Sequence, residues 1–285
     1  MTLQLRRGQA SDAASAGDIC YRAFKAIADE HGFPPDFPSP GMAAGVLTGM
    51  IAHPGFYDTI AETDGRIVGS NFLDERNPIS GVGPITVDPA VQDDGAGRAL
   101  MGAVMERSAE RGFGGIRLVQ SAYDSRSLAL YLKLGFVARE LLVCLQGPAV
   151  DAPMAGHAVR PARVEDLAAC NSLCARVHGH GRGGELADAV AQGEARVVER
   201  MGRITGYSTA IAFFGHAVGE TDSDLQALIA AAPFIGGPGV LVPARNGTLV
   251  RWCLDQGLRI TQTLTLMSMG LYNQPQGAWL PSVLY

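Results

Sequence analysis

Two glycines that follow a short apolar segment are the first residues in this sequence whose spacing suggests chemistry. Gly83–Val87 is apolar and β-branched, which predicts a buried strand. Gly95 and Gly97 precede a run with apolar residues at helical spacing. Glycine lets a backbone approach a ligand closely, and the first N–H groups of a helix carry the positive end of its dipole. This strand, turn and helix therefore predict a site for an anion such as a phosphate or pyrophosphate.

A second candidate is a helix, predicted within Asp124–Phe136, that carries one phenol. It follows a strand predicted at Gly115–Val119. A phenol with a pKa of about 10 stays protonated at neutral pH, so Tyr131 could act as a proton donor. The alternative is core packing, because Leu128, Tyr131 and Leu132 share a helical stripe.

Together, the two motifs resemble those of one enzyme family. Gln92-x-x-Gly95-x-Gly97 resembles the pyrophosphate motif of the GNAT family of N-acetyltransferases. Asp124–Phe136 resembles the second signature of that family, an Asn-x-x-x-x-x-Leu-Tyr-x-Lys-x-Gly-Phe helix. One glycine turn would be a weak signal, but both motifs are present in the right order with a strand between them. The resemblance covers residues 1–147.

This resemblance implies an N-acyltransferase that uses acetyl-CoA as co-substrate and transfers the acetyl group to an amine by direct attack. The backbone of residues 85–87 would pair with the pantetheine arm as an added strand, and N–H groups of residues 92–98 would hold the pyrophosphate. Tyr131 would be the catalytic acid for the departing CoA thiolate. The implied cofactor-binding residues are Ile85, Thr86, Val87, Gln92, Asp93, Asp94, Gly95, Ala96, Gly97, Arg98, Asp124 and Ser127.

Three acidic residues depart from the family pattern. Asp93 and Asp94 stand where basic or small residues are usual, and a carboxylate beside a pyrophosphate costs about 1 kcal/mol per pair in water. Either they point outward or the affinity for the cofactor is weak. Asp124 stands at the family's Asn position, where it keeps acceptor oxygens but loses amide donors. Its alternative role is to cap the N-terminus of its helix.

The reaction also needs a base, because an amine acceptor is mostly protonated near pH 7. The nearest carboxylates are Asp74 and Glu75, at the end of the predicted third strand, where a solvated loop is the more ordinary interpretation. His31 and His53 lie on the acceptor side by topology, but each fits a surface or capping role. The sequence therefore leaves the base unassigned.

The elements that position these residues predict an α/β fold. Leu3–Arg7 and Val137–Gln146 are predicted as strands, and Tyr57–Glu62 with Arg66–Asp74 as a hairpin. The Pro-rich stretch Gly32–Gly41 cannot lie inside a helix. We expect it to form a loop that covers the acceptor side of the site.

The same pattern then restarts in the second half of the chain. Val159–Leu167 resembles Leu5–Ala13, and Asn246–Leu258 resembles Asp124–Phe136. The second copy is shorter where the first has its Pro-rich loop, and again before its last helix. The chain is therefore predicted to be a tandem repeat of one fold.

The second copy lacks the residues that carry chemistry in the first. Its corresponding turn, Ala217–Asp224, has one glycine and three carboxylates, and Cys253 stands where the first copy has Tyr131. We predict two tandem acetyltransferase-like (GNAT) domains, each a mixed, mostly antiparallel sheet flanked by helices. The boundaries are residues 1–147 for the catalytic domain, 148–153 for a linker and 154–285 for a degenerate domain.

Cysteine and histidine also recur every four residues on one predicted helix of the second half. Cys170, Cys174 and His178 follow this spacing, with His180 just beyond. The spacing could place zinc ligands on one helix face. Small cysteines are common core residues, however, so we expect packing here and no metal.

The composition narrows the remaining classes of function. With 285 residues, 47% hydrophobic residues and a net charge of −5, the chain is a folding protein without the basic patch of a nucleic-acid binder. Five scattered cysteines, no secretory leader and no long apolar run favour a cytoplasmic protein without a membrane segment. We expect a small-molecule or peptide amine as partner and leave a homodimer open. A non-catalytic acyl-CoA sensor or an interaction protein is the alternative function.

Overall fold

The structure, a computed structural model, describes residues 2–91 and 95–285, which form two β-sheets with helices packed on their faces. In the described chain the strands β1 to β14 are Leu3–Arg6, Phe56–Thr63, Arg66–Asp74, Ile79–Val82, Thr86–Val87, Gly115–Ser121, Val137–Gln146, Ala158–Pro161, Arg196–Arg200, Arg203–Ser208, Ala217–Gly219, Val240–Pro243, Arg259–Gly270 and Ala278–Leu280. The helices α1 to α8 are Ala13–His31, Pro40–Ala52, Ala96–Glu110, Ser125–Lys133, Leu167–His178, Gly183–Ala191, Asp222–Ala230 and Gly247–Asp255.

The two halves of the chain exchange strands at the centre of the larger sheet. Its strand order is β1-β2-β3-β4-β6-β13-β7-β12, with β5 paired to β3. Strand β13 of the second half is inserted between β6 and β7 of the first, and β12 pairs with the outer edge of β7. In each half, the strand after the last helix thus pairs with the strand before the last helix of the other half. The smaller sheet has the order β14-β11-β10-β9-β8.

A repeated ion-pair cluster supports the predicted tandem repeat. In the first half, the Arg6 guanidinium donates to the Asp12 carboxylate at 2.6 Å and to Glu62 at 2.5 Å. The equivalent distances in the second half are 2.7 Å for Arg160–Asp166 and 2.6 Å for Arg160–Glu199. Each cluster ties the first strand of its half to the following helix and to the second strand. The fold is therefore two tandem α/β units of the same kind, as predicted.

The predicted hairpin of the first half is confirmed, and its turn has a direct counterpart in the second half. Asp64 and Gly65 between β2 and β3 have φ angles of 52° and 77°. Met201 and Gly202 between β9 and β10 have φ angles of 52° and 72°. Two successive residues at positive φ form the turn whose twist suits a two-residue hairpin.

The strand predicted at Gly83–Val87 is not continuous. Strand β4 pairs in parallel with β6 as far as Val82, after which the chain leaves β6, and β5 pairs only with β3. Gly83 has a φ of 136°, and Pro84 has no N–H to donate to a neighbouring strand. The sheet therefore opens between β5 and the end of β6.

Helices cover both faces of the opened sheet. Helices α1 and α2 pack over β2 and β3 around the buried Leu47, Ile60 and Phe72. Helices α3 and α4 enclose the opposite core around Met101 and Phe136. Residues 148–153 carry neither helix nor strand, and the division there into two domains stays a prediction. In the described chain, no helix has both the length and the apolar character that crossing a membrane requires.

Candidate active site

A cavity of about 640 Å³ lies where the sheet opens between β5 and β6. Every described residue that the sequence assigned to cofactor binding or catalysis lines this cavity: Ile85, Thr86, Val87, Gly95, Ala96, Gly97, Arg98, Asp124, Ser127 and Tyr131. Gln92, Asp93 and Asp94 lie outside the described residues. The residues that the sequence pattern singled out thus come together from three separate elements, β5, α3 and α4.

Helix α3 points its N-terminus at the cavity. Gly95 caps this helix with a φ of 84°, a conformation that favours glycine. The next residues, Ala96, Gly97 and Arg98, line the cavity, so the unpaired N–H groups of the first turn lie at its wall. Arg98 is exposed, and two more cationic side chains, Arg126 and Lys133, line the same space.

Asp124 caps helix α4, which was the alternative role for this residue. Its carboxylate accepts hydrogen bonds from the backbone N–H of Arg126 at 3.0 Å and of Ser127 at 3.2 Å. The Ser127 hydroxyl donates to the Gln120 side-chain oxygen at 3.0 Å. Both side chains are thus held by the protein at the cavity wall.

Tyr131 is buried on α4 and lines the cavity from the side of the helix. Its ring makes an edge contact with Phe136, with the ring centres 6.2 Å apart. Burial raises the pKa of the Tyr131 phenol, and the nearby charge of Asp124 adds to this effect. The phenol is therefore protonated across the physiological pH range and can act as a proton donor.

The other end of the cavity is closed by the Pro-rich loop. Phe37 is buried against it, and the Asp36 carboxylate accepts a hydrogen bond from the Gln262 side-chain amide at 2.9 Å. Burial raises the pKa of Asp36, and the Gln262 bond opposes this only in part. Among the described residues, no cationic side chain lies within ion-pair distance of Asp36. The loop thus brings an uncompensated carboxylate to the acceptor end.

The second half supplies much of that acceptor end. Gln262 and Leu264 come from β13, which the strand exchange places beside β6. The remaining contributions from the second half are apolar and comprise Phe213, Phe214, Val283 and Leu284. These residues were missed by sequence reasoning, because the sequence pattern shows which residues form a strand but not which strand it joins.

The carboxylates considered earlier as bases are engaged elsewhere. Asp74 pairs with Arg76 at 2.6 Å, and Glu75 pairs with Arg107 at 2.6 Å. Neither carboxylate lines the cavity, and neither do the two histidines considered with them. Asp36 was also missed, although the Pro-rich loop that carries it was predicted to cover the acceptor side.

The corresponding positions of the second half differ as the sequence indicates. Helix α7 begins after Thr221, and the Asp224 carboxylate accepts from the Thr221 N–H at 2.9 Å. An acidic side chain thus occupies the helix N-terminus that would face an anion. Cys253, at the position of Tyr131, is fully buried in the apolar core.

A mixed sheet that opens beside a glycine-capped helix N-terminus defines an acetyltransferase-type α/β fold. Residues 25–136 match the Acetyltransferase (GNAT) family. The similarity to that family is therefore established for residues 25–136.

Individual relatives cover less of the chain. A mycothiol acetyltransferase of Nocardia farcinica is 34% identical over 85 residues, which are 28% of this chain and 28% of that protein. The aligned segment thus spans less than a third of the length of each of the curated relatives that this chain matches.

Two solved structures share the fold over nearly the whole chain. A Pyrococcus horikoshii protein, provisionally described as an acetyltransferase, has a TM-score of 0.75 at 16% identity over 97% of this chain and 94% of that one. A tandem GNAT protein from the clavulanic acid biosynthesis pathway has a TM-score of 0.57 at 14% identity over 94% and 98% of the two chains. This chain therefore shares its two-part fold with a protein described as a tandem GNAT protein.

Proposed function

We propose that this protein transfers an acetyl group from acetyl-CoA to an amine in the cavity between β5 and β6. The observation that supports this most directly is the continuity of the cavity. One space is lined by residues 85–87, by the N-terminus of α3, by Tyr131 and by Asp36. These are the parts that thioester transfer to an amine needs.

The cofactor would enter from the side of α3. Thr86 of β5 pairs with β3 and lines the cavity together with Ile85, so an extended pantetheine arm would lie along this segment. The N–H groups after Gly95 would bind the pyrophosphate. Arg98, Arg126 and Lys133 would offset the remaining phosphate charge.

The chemistry would be direct attack. The neutral amine nitrogen adds to the thioester carbonyl carbon, so a C–N bond forms and the C–S bond then breaks. Tyr131 would donate a proton to the leaving sulfur. Asp36, whose raised pKa makes it a better base than an ordinary aspartate, would first take one proton from the bound ammonium ion and so free the nitrogen lone pair. The second proton, which the nitrogen loses as the amide forms, would return through solvent to the Tyr131 phenolate. Both proton positions thus lie in one cavity.

The acceptor end favours an amine joined to a compact apolar group. Asp36 offers one negative charge for an ammonium ion, whereas Phe24, Phe37, Phe214 and Leu264 add apolar surface to the same cavity. Such a pocket binds the apolar part by burial and orients the amine by charge. The partial relatives named mycothiol acetyltransferase also support acetyl as the transferred group.

The test compares two phenols of the same cavity, Tyr131→Phe and Tyr123→Phe, in the full chain. Thiol release from acetyl-CoA is measured with a panel of small aromatic and aliphatic amines, and acetyl-CoA binding by calorimetry. Tyr131→Phe should lower kcat by about 10²–10⁴ with unchanged acetyl-CoA affinity, because only the proton donor is lost.

Tyr123 is the matched control, because it lines the acceptor end and stacks on Phe33 with ring centres 4.3 Å apart. Loss of the Tyr123 hydroxyl in Tyr123→Phe should change the KM for the amine more than kcat. Acetyl-CoA binding without thiol release for any amine would instead support the non-catalytic sensor. Equal kcat in wild type and Tyr131→Phe would refute the role of Tyr131.

A further inference from the structure

Three buried side chains that acetyl transfer does not use lie together in the second half. Cys174 and His178 are four residues apart on α5 and therefore share a helix face. His216 reaches the same point from the segment before β11. Each of the three is at most 1% exposed, and one potential ligand atom from each lies within 4.8 Å of the others.

The spacing of the two imidazoles suits an ion better than a direct hydrogen bond. The His178 and His216 Nε2 atoms are 3.4 Å apart. This is longer than the ~2.7–3.2 Å usual for hydrogen bonds to an N–H group. Two nitrogen ligands about 2.0–2.1 Å from a tetrahedral zinc ion would stand roughly 3.3–3.4 Å apart. The two nitrogens thus have the separation of one edge of a zinc coordination tetrahedron.

We propose that Cys174, His178 and His216 form a structural zinc site in the second half. A thiolate and two neutral imidazoles are a zinc ligand set. Binding Zn²⁺ would release the Cys174 thiol proton to solvent and form one Zn–S and two Zn–N bonds. The proposal departs from the expectation of no metal, and it does not depend on the proposed acetyl transfer.

One hydroxyl and two arginines lie close to the three ligand atoms. The Tyr207 hydroxyl lies beside the Cys174 thiol and has no other hydrogen-bond partner among the described residues. A tetrahedral site takes a fourth ligand, which this hydroxyl or a water molecule would supply. Nearby Arg182 donates to Glu185, with its Nε 3.0 Å from the carboxylate. That pair is neutral overall, and the thiolate and the close cation Arg117 carry opposite charges, so these groups leave the charge of the ion uncompensated.

Zinc at this point would connect the second half to the wall of the cavity. It would hold α5 to the segment that leads into β11, two elements with no covalent link near the site. His178 also makes an edge contact with the Tyr285 ring at 6.1 Å, and the preceding residue, Leu284, lines the cavity. We therefore expect the ion to stabilise the fold that shapes the acceptor end.

The chain itself offers a matched control. Cys170 lies one turn before Cys174 on α5 and is also fully buried, but it is not part of the group of ligand atoms. Cys170→Ser and Cys174→Ser therefore remove the same thiol from the same helix. His216→Asn provides a ligand variant on a different segment, should Cys174→Ser fail to fold.

The test uses Co²⁺ as a spectroscopic substitute for zinc in the full chain after chelation. Wild type and Cys170→Ser should bind one Co²⁺ per chain, with a thiolate-to-cobalt charge-transfer band and the strong visible bands of a tetrahedral site. Zn²⁺ should displace the cobalt. Cys174→Ser should lose the charge-transfer band, and His216→Asn should bind more than about 100-fold more weakly, beyond what outer-shell changes cost.

Absence of these bands in wild type would overturn the proposal, as would equal loss in Cys170→Ser and Cys174→Ser. Neither readout depends on acetyl-CoA or an amine. Failure of the zinc site is therefore distinguishable from failure of the proposed function.

Discussion

Replacing Asp36 by Asn tests whether the acceptor end works through one negative charge. Asn has nearly the same shape, and its side-chain oxygen can keep the hydrogen bond from Gln262. The substitution therefore removes charge while it preserves packing. In the proposed reaction this carboxylate binds the ammonium form of the acceptor and receives its proton.

The magnitude follows from the contacts of Asp36. Among the residues that the structure describes, its carboxylate accepts a hydrogen bond from the neutral Gln262 amide and has no ion-pair partner, so its charge is available to an ammonium ion. A hydrogen bond to a charged group contributes about 1.5–3 kcal/mol. At 1.36 kcal/mol per factor of ten, Asp36→Asn should lower kcat/KM for the amine by about 10- to 150-fold. Acetyl-CoA affinity should not change.

Asp36→Asn should raise the stability of the fold while it lowers kcat/KM. Because burial raises the pKa of Asp36, the folded protein holds this proton at pH values where the unfolded chain has lost it. The ionised carboxylate therefore destabilises the fold above its raised pKa, and the penalty disappears below the usual aspartate pKa. Asp36→Asn should raise Tm at neutral pH and leave it unchanged at strongly acidic pH.

The assay is kcat/KM for one accepted amine as a function of pH, with Tm measured in parallel. Wild-type kcat/KM should rise with pH through the raised pKa of Asp36, and the variant should lack this rise. Asp29→Asn is the control, since Asp29 is an exposed carboxylate that pairs with Lys25. The reasoning is refuted if Asp36→Asn keeps wild-type kcat/KM, or if it melts at a lower temperature at neutral pH.

Two further predictions test the cofactor side and the strand exchange. A Cβ on Gly69 would lie 2.6 Å from the Thr86 carbonyl oxygen, so Gly69→Ala should displace β5. This variant should bind acetyl-CoA more weakly in calorimetry, and its fold should be less stable by about 1–3 kcal/mol. The control is Gly49→Ala in helix α2, where the added Cβ meets open space; it should bind acetyl-CoA normally and be more stable. A fragment of residues 1–147 should aggregate, because β6 and β7 lose β13 and expose unpaired edges. Co-expression with residues 154–285 should restore a soluble complex. A monomeric fragment 1–147 with a cooperative thermal melt would contradict this prediction.

Local signals made much of the first half predictable. Asp64-Gly65 is a two-residue turn between alternating segments, so both strands of the hairpin follow from it. The glycines at 95 and 97 and the capping Asp124 mark helix starts through short-range backbone chemistry. The repeated arginine and aspartate at the start of each half predict the tandem fold, because the same local contacts recur.

The sequence did not predict which strands pair when they lie far apart along the chain. The insertion of Arg259–Gly270 between β6 and β7 depends on contacts more than a hundred residues away in sequence, and no local pattern indicates it. His216 illustrates the same limit, since its meeting with Cys174 requires the packing of α5 on the smaller sheet. The break in the strand at Pro84, by contrast, could have been predicted, because proline is rare inside central strands.

The strand exchange gives the second half a role that requires no chemistry of its own. Gln262 contacts Asp36 and Leu264 lines the cavity only because β13 runs in a fixed register along β6, with Leu264 opposite Ser121. Side chains alternate between the two faces of a sheet, so a slip of one residue would turn both side chains away from the cavity. The register is fixed along both edges of β13, by β6 and by β7. A second half without Tyr131 or an open anion site would therefore still be needed, because it holds in place the strand that shapes the acceptor pocket.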